Sequence, residues 1–423
     1  MVEAPRLHDV GRSADCDVIV VGAGSAGIAA ARELLAHNYS VRVLEARARI
    51  GGRAYTEAVT FGVPADHGCH WLHSADVNPL TPIARELGFT VVERNPAWAA
   101  AAGKMILSSE ELEQCEQAFE WFFRQTRKNA DNGDSLASVF PRDWRWEPMA
   151  RALITYMYGA EAEDISREDG ANYLHTGQDW PIREGYGGLI ATLGADLPIT
   201  LNAAVDRIDW SGKSVAIHSN GSTLHARAVV LTVSTAVLAA HVIDFNPALA
   251  PGKLEAIHNL PLGVNNKVLI AVDGDPFGVP MDTFLISSVE SSRVSSLEIF
   301  LEGRPLVSGF LGGDLAIELE QAGERAAIEF VADELVQLFG NTVRNSLGKS
   351  IATAWSSDPW SRGAYSYAKP GHAHQRPALA APLAERLFFA GEATSVESYG
   401  TAHGAYLSGR RVAAEVNAAL ATG

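Results

Sequence analysis

A chain of 423 residues is longer than one hydrophobic core usually supports, and its 47% hydrophobic and 20% charged content is that of a folded globular protein. The formal charge of −16, from 34 basic and 50 acidic residues, argues against a nucleic-acid partner held by a basic patch and suits a cationic ligand. The three cysteines, Cys16, Cys69 and Cys115, form no CxxC pair, so no disulfide framework and no metal site is expected, and a reducing compartment is the default.

The first fifteen or so residues form a polar tail without the apolar core of a signal peptide. No apolar run reaches the ~18 residues of a membrane helix, so a cytoplasmic protein without a membrane partner is expected. Residues 17–21 are a short apolar run bounded by glycine, which predicts a buried parallel strand. Good helix formers fill 26–36, and strand character returns at 41–44, completing a βαβ unit. A helical lobe is expected over 76–185. In it, 111–129 sets Leu112, Cys115, Phe119 and Phe122 at helical spacing, and a second helix covers 146–158. The loop 179–188 should shape a pocket, with Asp179 and Glu184 either binding a distal ammonium or, as the safer reading, in solvent. Residues 214–218 and 223–233 flank an Asn-Gly pair and predict a hairpin. Strands follow at 268–272, 283–287 and 305–310, then helices at 323–339 and about 402–420.

The sharpest motif is Gly22-Ala23-Gly24-Ser25-Ala26-Gly27, after a strand and opening a helix. Gly22 permits the turn, Gly24 lets the backbone approach a pyrophosphate, and Gly27 lets helix and strand pack closely. The helix terminus adds free N–H groups and a positive dipole. Glu45 ends the second strand, where an acidic group can bond ribose hydroxyls. Dinucleotide binding is the expectation. Beyond Glu45 come Ala46, Arg47, Arg49, Gly51, Gly52 and Arg53, whose paired glycines and arginines suit a further stretch of phosphate.

That run resembles the second FAD fingerprint of the flavin-containing amine oxidases. Four later segments resemble the same family, in family order. They are 66–73 with Gly68, Cys69, His70 and Trp71; 261–268 with Lys267; 355–367 with Trp355, Trp360, Ala364 and Tyr365; and 388–405 with Gly391, Glu392, Thr401 and Ala402. The likeness is nearest to the animal-type polyamine oxidases. It implies an α/β fold (α+β overall), with a Rossmann-like FAD-binding domain at 1–75, 186–265 and 350–423. A discontinuous substrate-binding domain of mixed sheet and helical lobe would take 76–185 and 266–349.

The resemblance also implies site roles. Lys267 would hold a water near flavin N5 and assist reoxidation; read alone, it is a strand-end lysine reaching for solvent. Trp355 and Trp360 would pack about the flavin and Tyr365 would wall the amine pocket, although all three suit an ordinary core. Thr401 takes the place of the second tyrosine wall of monoamine oxidases. Ala364 replaces their flavin-linked cysteine, so FAD would be held non-covalently. His70 would contact a substrate ammonium through a neutral imidazole, or simply be a satisfied core histidine. Glu392 would meet the ribityl or diphosphate region, Val205 the adenine, and the helix starting near Ala402 would steady charge on the reduced flavin.

The implied activity is oxidation of a small-molecule amine by hydride transfer to flavin. It would give an imine and then an aldehyde, with O2 reduced to H2O2. An L-amino-acid oxidase, an amine dehydrogenase using another acceptor and a non-catalytic flavin-binding module remain as alternatives. Monomer and homodimer are both open.

Overall fold

The computed structural model describes residues 14–96, 105–127 and 134–421. The polar tail and the end of the helix expected over 111–129 therefore lie outside the described residues.

The apolar run becomes strand β1 (Cys16–Val21), nearly all of it buried, which requires a position with neighbours on both sides. It lies parallel to β2 (Val41–Leu44) and, on its other edge, to the long strand of the Asn-Gly hairpin. The sheet continues through β3 (Ile199–Thr200), β4 (Val205–Asp209), β5 (Val215–Ser219), β6 (Ser222–Leu231) and β7 (Asp244–Asn246), in the spatial order β7-β4-β5-β6-β1-β2-β3. A late strand, Leu387–Phe389, pairs with β6 and makes eight.

Helix α1 (Ser25–Ala36) crosses from β1 to β2, and its alanines let the C-terminal helix, Ala402–Ala421, lie close along it. A side chain at Gly409 would collide with the Ala26 carbonyl oxygen, so that contact needs glycine. Residues from both ends of the chain thus meet above the C-terminal ends of the parallel strands, where open α/β sheets bind ligands.

Beneath lies a second, five-stranded antiparallel sheet. Its strands are β8 (Asn265–Val272), β9 (Thr283–Leu285), β10 (Ser296–Ile299), β11 (Leu306–Gly312) and β12 (Leu347–Ala352), in the order β9-β10-β11-β8-β12. Alternation divides it into two faces. Val268, Ile270, Leu297, Ile299, Val307 and Leu311 pack under helices on one side. Lys267, Phe284, Ser296, Glu298, Ser308 and Phe310 face a cavity on the other. Cuts at 265/266 and 349/350 would divide β8 and β12, which pair with each other inside this sheet.

The helix expected over 323–339 is present as Glu324–Phe339, and an unforeseen helix, Gly313–Ala322, precedes it. Gly323, at φ +99°, separates them. The lobe holds α2 (Ser109–Thr126) and α3 (Glu147–Tyr158). Ser108 and Glu111 close a reciprocal cap that starts α2 two residues before its predicted start. The two helices of the covering layer are α4 (Gly313–Ala322) and α5 (Glu324–Phe339). No described helix is long and apolar enough to cross a membrane.

Candidate active site

A cavity of about 820 Å³ runs from the glycine turn after β1, over the second sheet, into the lobe between α2 and α3. Its first part is built from backbone. Gly24 caps α1 without a side-chain bond, so the helix opens on the cavity with its first turn bare. The Gly51 N–H donates to the Ala23 carbonyl (2.8 Å), bringing the second glycine pair against the first. A side chain at Gly27 would overlap the Gly22 carbonyl oxygen, which fixes how closely α1 approaches the strand. Bare helix terminus, facing glycines, and the Arg47 and Arg53 guanidiniums suit a diphosphate.

The polar side chains here also brace one another. Glu45 accepts from the N–H groups of Ala23 and Arg47, each at 2.8 Å, so its carboxylate shapes the turn as well as lining the cavity. Arg47 donates to Asp358 and to Ser361 Oγ, both at 2.6 Å. Arg53 pairs with Glu392 at 3.0 Å and bonds the Ala364 carbonyl. Glu392 further accepts from Ser366 N (3.1 Å), Ser366 Oγ (2.7 Å) and Gly400 N (2.8 Å), so both its oxygens are already used by the protein. Burial pushes the Glu392 carboxyl up, but Arg53, Ser366 and Arg376 outweigh that and hold it below its ordinary value.

Further in, Trp355 is pinned by a bond from its indole Nε1 to the His67 carbonyl (3.1 Å). Lys267 turns into the cavity rather than to solvent, with Nζ donating to the Asp66 carbonyl oxygen at 3.0 Å. Burial draws its pKa down, against the charges of Asp66 and Glu298. Tyr365 lays its ring on the cavity and donates its hydroxyl to the Tyr156 carbonyl. Cys69 also reaches the cavity, but burial pushes its thiol up to about 11, which keeps it neutral.

Comparison with known proteins decides what the cavity belongs to. The family described as flavin containing amine oxidoreductase matches residues 25–101 and 98–417. Polyamine oxidase 2 of Arabidopsis thaliana is 32% identical over 437 residues, covering 93% of this chain and 86% of that protein.

This chain belongs to the flavin-containing amine oxidoreductase family.

Probable polyamine oxidase 4 of Arabidopsis thaliana is 31% identical, over 93% of this chain and 85% of its own length. Lysine-specific histone demethylase 1 homolog 2 of the same plant is 29% identical, and only 60% of that protein is spanned. A putrescine oxidase double mutant, redesigned in its cofactor binding, superposes with a TM-score of 0.78 at 19% identity, over 95% of this chain and 99% of that one, and shares the fold.

The cofactor of this amine oxidoreductase is FAD. Of the residues read from the sequence as its contacts, nearly all line the cavity. Ala23, Gly27 and Arg49 do not: the first two act behind it, as a donor to Glu45 and as the close-packing point of α1, and Arg49 donates to the Ile50 and Gly52 carbonyls and lies over the Tyr55 ring. Two expectations about side chains, those for Thr401 and Asp179, change, while His70 lines the cavity with Nδ1 bonded to Asp66 at 3.0 Å and Nε2 buried without a hydrogen-bond partner, 3.4 Å from Glu302. Burial raises the Asp66 carboxyl, yet His70, Lys267 and Thr56 together hold it low. Thr401 lines the cavity with its hydroxyl committed, donating to Ser398 O (2.7 Å) and accepting from Gly404 N (2.9 Å) as the cap of the C-terminal helix. Asp179 is buried rather than in solvent, held by His73 (2.8 Å) and His175 (2.9 Å), while Glu184 is exposed.

Sequence reasoning missed Glu298. Its backbone is in β10, one residue opposite Ser308 in β11, and its side chain shares a face with Lys267. Burial pushes its carboxyl up to about 7, against the lowering effect of His70 and Lys267. Its Oε1 is buried without a hydrogen-bond partner. The only trace in the sequence was an acidic residue set inside the apolar run Leu297-Glu298-Ile299.

Proposed function

We propose that this chain is an amine oxidase whose substrate carries a second, cationic nitrogen, as a polyamine does. The observation that carries the reading is Glu298, a cavity-lining carboxyl with one buried oxygen left unpaired. Such a group is costly to bury unless it meets a donor, and a distal ammonium supplies one. Lys267 and Glu298 lie two strands and one residue pair apart on one face, roughly 12 Å between Cα atoms at ordinary strand spacing. The two ends of one substrate can therefore be held apart by the rigid sheet.

FAD, when bound, supplies the hydride acceptor. The protein does the rest. The aromatic surfaces of Tyr365, Trp355 and Phe310 exclude water from the reacting carbon–nitrogen bond. Glu298 orients the chain by its distal charge. Lys267 Nζ spends one N–H on Asp66 and keeps its remaining hydrogens for a water in the cavity. The overall change is R–NH–CH2–R′ + O2 + H2O → R–NH2 + R′–CHO + H2O2. Three free cysteines support placing this in a reducing, cytoplasmic setting. Ala364, which has no thiol, supports non-covalent FAD.

A substrate carboxylate fits less well. Arg47 and Arg53 are paired with Asp358 and Glu392, and Glu298 would repel an acid in its ionised form. Peroxide release by the FAD-loaded enzyme, across spermidine, spermine, N-acetylated polyamines, putrescine, arylalkylamines and L-amino acids, tests the reading. Turnover of a di- or polyamine with peroxide is expected. Turnover of amino acids alone would overturn the substrate, and flavin bleaching without peroxide would overturn the use of O2.

A further inference from the structure

The segment 66–70, whose Asp66 carbonyl anchors Lys267 Nζ, carries two histidines that are set alike. His67 Nε2 lies 3.7 Å from Glu57 Oε1, and His70 Nε2 lies 3.4 Å from Glu302 Oε1. All four atoms are buried without a hydrogen-bond partner. Buried polar atoms are rarely left so, and a nitrogen facing a carboxylate oxygen just beyond bonding reach is a place where one proton can serve both. The two pairs lead to different places. Glu302 is sealed, its other oxygen held by Arg304 at 2.9 Å, and a guanidinium does not give up its proton. Glu57 opens outward. Its Oε2 accepts from the N–H groups of Val59 (2.9 Å) and Thr60 (3.1 Å), in a turn where Val59 is 92% exposed. On its other side His67 lines the cavity.

We propose that His67 and Glu57 form a proton route between the cavity and solvent. It rests on the amine-oxidase reading above and concerns the proton balance of that reaction. Oxidation of an ammonium substrate first releases a proton, R–NH2+–CH2–R′ → R–NH–CH2–R′ + H+. Reduction of O2 takes one back, H− + O2 + H+ → H2O2. A site whose aromatic walls exclude water must therefore export and import one proton in each cycle. Burial, helped by Lys267, draws the His67 pKa down against Glu57 and Asp66, which leaves a neutral imidazole able to accept. Burial raises the Glu57 carboxyl, but the Thr60 and Val59 amides and His67 hold it below its ordinary value, so an anion faces Nε2. On export, His67 Nδ1 takes a proton from the cavity water held by Lys267, and Nε2 passes its own to Glu57 Oε1 and so to the turn. On import the same steps run backward. One proton out and one in restore the starting tautomer, so the ring never has to flip.

The test is chemical rescue. His67→Ala keeps the backbone carbonyl that holds Trp355 and opens space for an imidazole beside Tyr55, whose ring meets His67 at 4.9 Å. Glu57→Gln keeps an oxygen for the two turn amides but cannot carry a proton. Spermidine turnover by the FAD-loaded enzymes, in weak buffer, should fall by at least about tenfold in both variants, with the FAD retained per chain unchanged. Added imidazole should restore His67→Ala in proportion to its concentration, with methylimidazoles ranked by basicity, and should leave the unmodified enzyme unmoved. Imidazole nitrogen NMR of the unmodified enzyme at about pH 7 should show His67 neutral with its proton on Nε2, a preference lost in Glu57→Gln. Unchanged turnover in both variants, a loss that no imidazole restores, or a doubly protonated His67 would overturn the route while leaving amine oxidation intact. No turnover of spermidine, spermine or putrescine by the unmodified enzyme would instead remove the reading beneath it, and the route with it.

Discussion

Glu298 and Lys267 are buried ionisable groups whose partners the fold leaves incomplete, and their chemistry is separable by pH. The Glu298 carboxyl is raised to about 7, so it is mostly protonated below that value and ionised above it. Binding of a distal ammonium should therefore strengthen, and KM for a diamine fall, as pH rises through about 7. Glu298→Gln should raise KM by about 10- to 100-fold and abolish that limb, since a charge-assisted bond contributes roughly 1.5–3 kcal/mol. An unchanged pH profile would mean that another group receives the ammonium. For Lys267, replacement by Met removes the donors aimed at the cavity water. Stopped-flow mixing of reduced Lys267→Met enzyme with O2 should show reoxidation slowed by at least about tenfold while anaerobic reduction changes less. Equal slowing of both half-reactions would assign Lys267 to the amine instead.

At the scale of elements, β1, α1 and β2 were legible because their signals are local: an apolar run, glycines at fixed offsets and a closing acid within thirty residues. Gly27 shows how tightly that unit is set. Gly27→Val has no room against the Gly22 carbonyl, and should cost about 1–3 kcal/mol. It should also lower the FAD retained per chain after gel filtration, measured from the flavin absorbance; full retention would mean that α1 can shift without harming the turn. The failures were equally physical. The extra helix Gly313–Ala322 was hidden because its boundary is a single glycine at Gly323 rather than a loop. Glu302, 3.4 Å from His70 Nε2, is 232 residues further along, and nothing local announces it. Glu298 was invisible for the same reason: only the pairing of β10 with β11 and of β11 with β8 sets it on the face of Lys267.

Across the whole molecule, the lobe and the C-terminal segment are joined by a fully buried ion pair. Arg376 meets Asp169 through Nε at 2.6 Å and Nη2 at 2.7 Å, and lies over the Tyr399 ring at 3.7 Å. Both side chains are completely shielded. Asp169→Asn leaves the guanidinium uncompensated in the interior and should destabilise the enzyme by about 3–5 kcal/mol. The denaturant midpoint of the FAD-loaded enzyme measures it, and a loss below ~1 kcal/mol would show that the join is expendable.

The pairing of β8, β11 and β10 has a further consequence. Because the strands are spaced by their hydrogen bonds, positions for a carboxylate opposite Lys267 come only at fixed intervals, like marks on a ruler. Ser308 is the next mark inward, one strand nearer, with its Cα roughly 8 Å from that of Lys267 against roughly 12 Å for Glu298. Moving the acid from Glu298 to Ser308 would reset the preferred nitrogen-to-nitrogen length in one discrete step, so diamine length in such an enzyme is chosen by strand register rather than tuned continuously.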